Sequence, residues 1–255
     1  MTDVERRAAL EAVAAEVRDC TRCRLHEGRT KAVPGEGDPD TEVVFVGEGP
    51  GFNEDREGRP FVGRAGGLLV QLLASIGWRR DQVFITNVVK CRPPDNRDPL
   101  PDEIAACAPY LERQLRILDP ALVVTLGRHS MGEFMPGARI GQMHGMSKPI
   151  DPATGARDAL AFAMYHPAAA LRSAEVERTS YEDVARIPET LMRARAKRER
   201  ANDTLDTDGL SVIAPADVAV TGVVSAIDAA RAAVPVGALT PPTGDATDDD
   251  QLTLF

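Results

Sequence analysis

The chain has 255 residues, 43% apolar and 27% charged, a balance that fits a soluble protein with enough apolar material for one sizeable core. Its first stretch, MTDVERRAALEAVAAEV, mixes acids and bases throughout, so a secretory leader or membrane anchor is not expected there and a cytoplasmic setting is. The net charge of −9 does not exclude nucleic acid: residues 201–255 hold nine aspartates and one arginine, which leaves 29 basic against 30 acidic residues before them and room for a local basic face.

In chain order, Val4, Ala8, Leu10, Val13 and Val17 recur at helical spacing and predict an opening amphipathic helix over 3–19. Four short apolar runs, 42–47, 82–88, 121–126 and 159–165, predict buried strands. Helical stretches fall between them at 65–76, 102–118 and 129–134, and an alternation of this kind predicts a parallel sheet covered on both faces. Residues 136–158, containing Gly and Pro, are expected to form a hairpin or loop, and 181–200 a closing helix. Beyond Arg200 the composition turns to Ala, Asp, Thr and Pro, which predicts a largely disordered tail with a short helix near 220–233.

Chemistry gathers behind the strands. The first ends in Gly47-Glu48-Gly49-Pro50-Gly51, the second carries Asn87 and runs into Cys91, the third ends in Gly127-Arg128, and the fourth in Tyr165-His166-Pro167. Parallel strands share one carboxyl edge, where ligands of open α/β sheets bind, so these distant segments are expected to meet. Glu48, Glu54 and Asp55 place three carboxylates in what the glycines suggest is a flexible turn; a solvated acidic loop is the bland alternative. Phe61, in RPFVGRAG, is either a stacking platform for a base, with Arg59 and Arg64 reaching phosphates, or an ordinary core ring. All four cysteines fall into Cys20-x2-Cys23 and Cys91-x15-Cys107. In a reducing compartment that set suits a metal, and its unequal spacing fits a [4Fe–4S] cluster at least as well as zinc, with a buried unliganded thiol the alternative for Cys107.

Taken together, CTRC, VFVGEGPGFNEDREGRPFVGRAG, FITNVVKCRPPDNRDPLPDEIAAC, VVTLGR and YHPAAALR resemble, in order, the motifs of the family 4 uracil-DNA glycosylases, which hold a four-cysteine iron–sulfur cluster. The resemblance spans roughly residues 20–190. It implies a three-layer α/β/α fold around a four-stranded parallel sheet, and a monofunctional enzyme that flips uracil out of single- or double-stranded DNA and hydrolyses its bond to the sugar; a monomer is expected.

By the same resemblance Phe61 stacks on the flipped base and Asn87 reads its Watson–Crick edge, because one carboxamide can satisfy the O4 acceptor and N3–H donor of uracil but not the reversed pair of cytosine. Glu48, Gly49 and Pro50 approach the base, and His166 lies near O2. Bond cleavage leaves a uracil anion and a cationic sugar, so His166 is assigned to the anion, and Glu48 or Glu54 to the cation and the water. Gly49 stands where related glycosylases carry Asp or Asn, and a glycine supplies no base. Arg64, Asn96, Leu171 and Arg172 are the expected DNA contacts, Leu171 as the wedge beside the extruded base. Cys20, Cys23, Cys91 and Cys107 are the expected cluster ligands. The terminal Gln251, Leu252, Leu254 and Phe255 resemble a peptide that docks repair proteins onto a sliding clamp. Two competing readings are a non-catalytic cluster or zinc protein on the same fold, and a covalent-trapping relative whose basic, histidine-containing insert this sequence lacks at 137–145.

Overall fold

The computed structural model describes residues 1–207. Six strands form one sheet: β1 (Glu36–Gly37), β2 (Val43–Gly47), β3 (Phe84–Asn87), β4 (Leu122–Leu126), β5 (Ser147–Pro149) and β6 (Leu160–Met164), in the order β1-β3-β2-β4-β6-β5. The four central strands are parallel, as the apolar runs predict. The sheet is nevertheless mixed, because β1 and β5 add antiparallel edges to β3 and β6. Expecting only four strands is therefore corrected: an edge of two or three residues, EG or SKP, contains no apolar period to detect. The pairing of β5 with β6 does make the 136–158 region part of a hairpin.

Each central strand is buried on both sides and sorts its side chains by alternation. Val44, Val46, Phe84, Val123, Ala161 and Ala163 face one core, which is closed by the helices Asp3–Arg18 and Pro101–Leu118 through Val13, Val17, Leu111 and Leu115. Val43, Phe45, Ile85, Val124, Phe162 and Met164 face the other, closed by Arg64–Ser75, Ala174–Val184 and Ile187–Thr207 through Leu69, Leu72, Val184 and Leu191. The result is the expected three-layer α/β/α arrangement. The opening helix starts where the sequence supplies a capping box, with Thr2 accepting from Glu5 N and Glu5 accepting from Thr2 N.

Two further expectations change. The closing helix is two helices, broken before Pro188, and the second continues to Thr207 because no Pro or Gly interrupts 189–207; the composition shift at 201 does not end it. The turn after β2 is also not flexible throughout, since Phe52–Glu57 forms a helix that buries Glu54 and Asp55. The expected helix at 220–233 and the terminal Gln251–Phe255 peptide lie outside the described residues. No described helix is long and apolar enough to cross a membrane.

Candidate active site

Register brings the strand ends level. Gly47 pairs with Asn87 across β2 and β3, and Leu126 with Met164 across β4 and β6, so the segments that follow all leave from one edge. At that edge Gly49, Gly51, Glu54, Phe61, Ala65, Asn87, His166 and Ala168 line a single solvent-open recess with about 350 Å³ between its walls. Phe61, Asn87 and His166, which the sequence places on three separate segments, therefore share one pocket. Ala65, Ala168 and Gly51 are additional walls; as small residues in motifs they carry no chemical signal in the sequence.

Phe61 is buried, and its ring centroid lies 5.6 Å from that of His166, tilted by 32°. Its backbone is left-handed, with φ of 50°, an unusual state for an aromatic residue. Gly47 makes the pocket possible: a Cβ there would sit 2.4 Å from Asn87 Oδ1 and 2.7 Å from Phe61 Cζ.

Asn87 is 1% exposed, yet neither its Oδ1 nor its Nδ2 has a hydrogen-bond partner. Its surroundings are otherwise well satisfied. The fully buried Lys90 donates to the Asn87 carbonyl at 2.8 Å, to Thr86 Oγ1 at 2.6 Å and to Gln114 Oε1 at 2.7 Å. Burial, opposed by the nearby Cys107, pushes the Lys90 ammonium down to about 8. The backbone of Asn87 is thus anchored while its carboxamide faces the recess with both functions unused. Leaving a buried donor and acceptor unmade costs about 1–3 kcal/mol each, so the arrangement suits a ligand that supplies one of each.

His166 sits at the start of a short turn of helix, where its Nδ1 accepts from Ala168 N at 3.1 Å. Accepting at Nδ1 leaves the proton of the neutral ring on Nε2. Burial pushes the imidazole down to about 4, so at neutral pH it is an uncharged Nε2–H donor.

The two glutamates diverge. Glu54 lines the recess, and its Oε1 accepts from Val62 N at 2.9 Å and Gly63 N at 3.1 Å, so it fixes the turn that carries Phe61. Asp55 is likewise structural, accepting from Thr30 N at 2.9 Å. Glu48 is not among the residues lining the recess; its carboxylate lies 3.8 Å from His129 Nε2, and Oε1 has no partner. Burial, reinforced by Asp98 and opposed by Arg128, pushes Glu48 up to about 7. Asp98 also approaches His129 Nε2 at 3.2 Å and Arg128 at 2.7 Å. Asp98, His129 and Arg128 escape sequence reasoning, because they matter only through contacts across elements. Glu48, Asp98 and His129 could offer ligand atoms within 4.8 Å of one another, but the Arg128 guanidinium already serves Asp98 and His129.

Of the expected DNA contacts, Arg64 and Arg172 are exposed. Leu171 is half-buried and packs against the second core. Asn96 needs correction: it is 1% exposed and accepts from Arg92 Nε at 2.8 Å, so its side chain organises the 92–97 loop and presents little surface. Pro50 is buried beside the recess and is not among its lining residues.

A second recess gathers all four cysteines, walled by Val17, Leu25, Val89 and Tyr110. Their sulfurs meet N–H donors: Lys90 N at 3.2 Å from Cys107, Arg22 N at 3.5 Å from Cys20 and Arg29 Nη1 at 3.2 Å from Cys91. Burial pushes the thiols of Cys23, Cys91 and Cys107 up, the last to about 11. Four cysteines on one recess, three of them meeting N–H donors, are a donor set of the kind that holds a thiolate-ligated metal group.

Comparison with known proteins agrees with this geometry. The model of the uracil DNA glycosylase superfamily matches residues 34–187. The chain is 51% identical over 189 residues to the type-4 uracil-DNA glycosylase of Sulfurisphaera tokodaii, a match covering 71% of this chain and 84% of that protein. It is 46% identical over 181 residues to the type-4 enzyme of Thermotoga maritima, covering 70% and 93%. With the type-4 enzyme of Archaeoglobus fulgidus it shares 41% over 189 residues, covering 71% and 92%. A chain whose strand-edge pocket and sequence agree in this way belongs to the uracil DNA glycosylase superfamily, alongside its type-4 members.

Proposed function

We propose that this protein is a uracil-DNA glycosylase of DNA repair, which excises uracil and leaves an abasic site. The observation that carries this reading is the unpartnered carboxamide of Asn87, held in one recess with Phe61 and His166. Uracil presents an acceptor at O4 beside a donor at N3, the pair that this carboxamide lacks, and the Phe61 ring offers a stacking face. Cytosine, with the order reversed, leaves two mismatched groups in a dry site.

Cleavage of the bond between N1 and C1′ sends its electron pair to the base. The neutral Nε2–H of His166 is assigned to the charge that develops on O2, and a preorganised donor of this kind is worth about 10²–10³ in rate. The Glu54 carboxylate, which lines the recess, is assigned to the positive charge that develops on the sugar. Glu48, with an uncommitted Oε1 at the same sheet edge, takes the proton from the incoming water, so the hydroxyl oxygen bonds C1′ and the uracil leaves as an anion stabilised by His166. Arg64 and Arg172 supply phosphate contacts, and Leu171 fills the stack once its partial packing is released.

Cys20, Cys23, Cys91 and Cys107 would hold a [4Fe–4S] cluster, which would act as a covalent cross-link between the N-terminal segment, the end of β3 and the helix Pro101–Leu118. From Cys91 the chain runs into Arg92, stacked 5.2 Å from the Phe52 ring beside the pocket turn, so the cross-link supports the site at second hand. Brown protein absorbing near 400 nm, with iron and sulfide in equal amounts, is expected; colourless protein containing zinc overturns the cluster. The tail peptide Gln251–Phe255 would dock on a sliding clamp, which requires its deletion to abolish clamp pull-down while leaving excision from short oligonucleotides unchanged.

The central test is excision from an oligonucleotide with a single uracil, followed by alkali to cut the abasic site. Cleavage is expected with wild-type protein and is lost with Asn87→Ala; uracil-independent cleavage, or none, overturns the assignment.

A further inference from the structure

Phe61 poses a mechanical problem. A left-handed φ in a bulky residue is strained and persists only where its surroundings fix it from several sides. The N–H groups that follow are held from within the recess by Glu54. The carbonyls are held from outside, by a residue the site itself does not contain. Arg80 Nη1 donates to Phe61 O at 2.7 Å, and Arg80 Nη2 donates to Pro60 O. Behind the same carbonyl stands Gly66, where a Cβ would lie 1.9 Å from Phe61 O, so the oxygen has nowhere else to go.

Arg80 is itself clamped. Its Nε and Nη2 donate to Glu36 Oε1 at 3.1 and 2.9 Å, and Glu36 also takes Arg59 at 2.8 Å. Glu36 belongs to β1, paired opposite Ile85 of β3, two residues before Asn87. Arg80 opens the 3-10 turn Arg80–Gln82, which leads into that same strand. One guanidinium therefore ties the aromatic plate to the strand that delivers the carboxamide.

We propose that Arg80 is a positioning residue for base recognition: by gripping the carbonyls of Pro60 and Phe61 it holds the Phe61 ring at a fixed height over the edge-reading side chain of Asn87. The proposal rests on the reading of Phe61 as the stacking plate. Arg79, its neighbour, turns its side chain to the exposed Asp81 and serves as the control. A planar fork is needed because three acceptors are served at once, which a lysine ammonium on a shorter stem reaches poorly.

The test uses full-length protein and three readouts: the inhibition constant of free uracil, KM and kcat on a uracil oligonucleotide, and affinity for duplex carrying a tetrahydrofuran abasic analogue. Arg80→Ala is expected to weaken free uracil and raise KM by about tenfold, the loss of one to two charge-assisted hydrogen bonds, while abasic-duplex affinity changes less than about twofold. Arg80→Lys gives an intermediate value, Arg79→Ala none. In a Phe61→Ala background, Arg80→Ala adds no further loss, because no ring remains to be placed. Unchanged uracil inhibition in Arg80→Ala, equal loss of abasic-duplex binding, or an undiminished effect in the Phe61→Ala background overturns the proposal. If Phe61→Ala alone leaves uracil inhibition unchanged, the site reading fails first. Should Arg80→Ala not fold, Glu36→Gln, which frees the guanidinium but keeps it, must raise the uracil inhibition constant, and no rise refutes the proposal.

Discussion

Replacing Asn87 by Leu separates recognition from stability. Both carboxamide atoms are buried without a protein partner, whereas the main-chain carbonyl is held by Lys90 and is untouched by the substitution. Two orphaned groups at about 1–3 kcal/mol each, offset by the imperfect shape of a tetrahedral Cγ, leave a net gain on the order of 1–2 kcal/mol for Asn87→Leu. For a domain of this size that corresponds to a melting temperature higher by about 2–8 °C. The same change strips uracil of both edge partners in a dry site, where a missing polar contact lowers kcat/KM by as much as about 10⁴-fold. Thermal or urea unfolding and single-turnover excision, run on one preparation, measure the two effects. A variant that is less stable and still excises uracil would refute the idea that the carboxamide is kept unsatisfied for the base.

Three further outcomes follow from the site. With Glu48 near 7, kcat/KM rises as pH passes through about 7 and the carboxyl loses its proton; Asp98→Asn removes a like charge and moves the inflection to lower pH, and a profile that does not move counts against Glu48 as the base. His166, depressed to about 4 from its ordinary 6.5, is neutral in the fold while the unfolded chain takes up a proton first. Its contribution is complete above pH 6.5 and is lost as pH falls toward 4, about 2 kcal/mol by pH 5; the urea midpoint should therefore fall further between pH 7 and pH 5 in wild type than in His166→Gln, and equal falls refute the reasoning. Gly47→Ala, whose methyl would meet Asn87 Oδ1 and Phe61 Cζ, is expected to cost about 1–3 kcal/mol of stability and to weaken uracil inhibition, read by unfolding and by competition with free base.

How much of this is legible in the sequence depends on the range of the interaction involved. Runs such as VVFVG and LVVTL announce strands buried on both faces, and residues at or directly behind such strands must reach the carboxyl edge; Asn87 and His166 are found this way, whereas Phe61 is picked out by its Gly/Pro/Arg loop and by the family resemblance. The edge strands are not, because two or three residues have no period. Glu54 is correctly placed at the pocket, but the sequence gives no hint that it is bonded to Val62 and Gly63. Asp98 and His129 acquire meaning only next to Glu48, 50 and 81 positions away in the chain, and Arg80 looks like half of a surface pair until Phe61 O is seen beneath it. Leu171, read as a wedge from its place in an otherwise small-residue loop, is also half-packed against the second core, a contact the sequence does not announce.

The short borders of the sheet have an effect beyond framing the pocket. One border is only the two residues Glu36–Gly37, and the other only Ser147–Pro149, which carries a lysine charge and a proline. Edges of two and three residues offer little backbone for ribbon-to-ribbon growth between crowded copies, so the sheet is poorly suited to template its own extension.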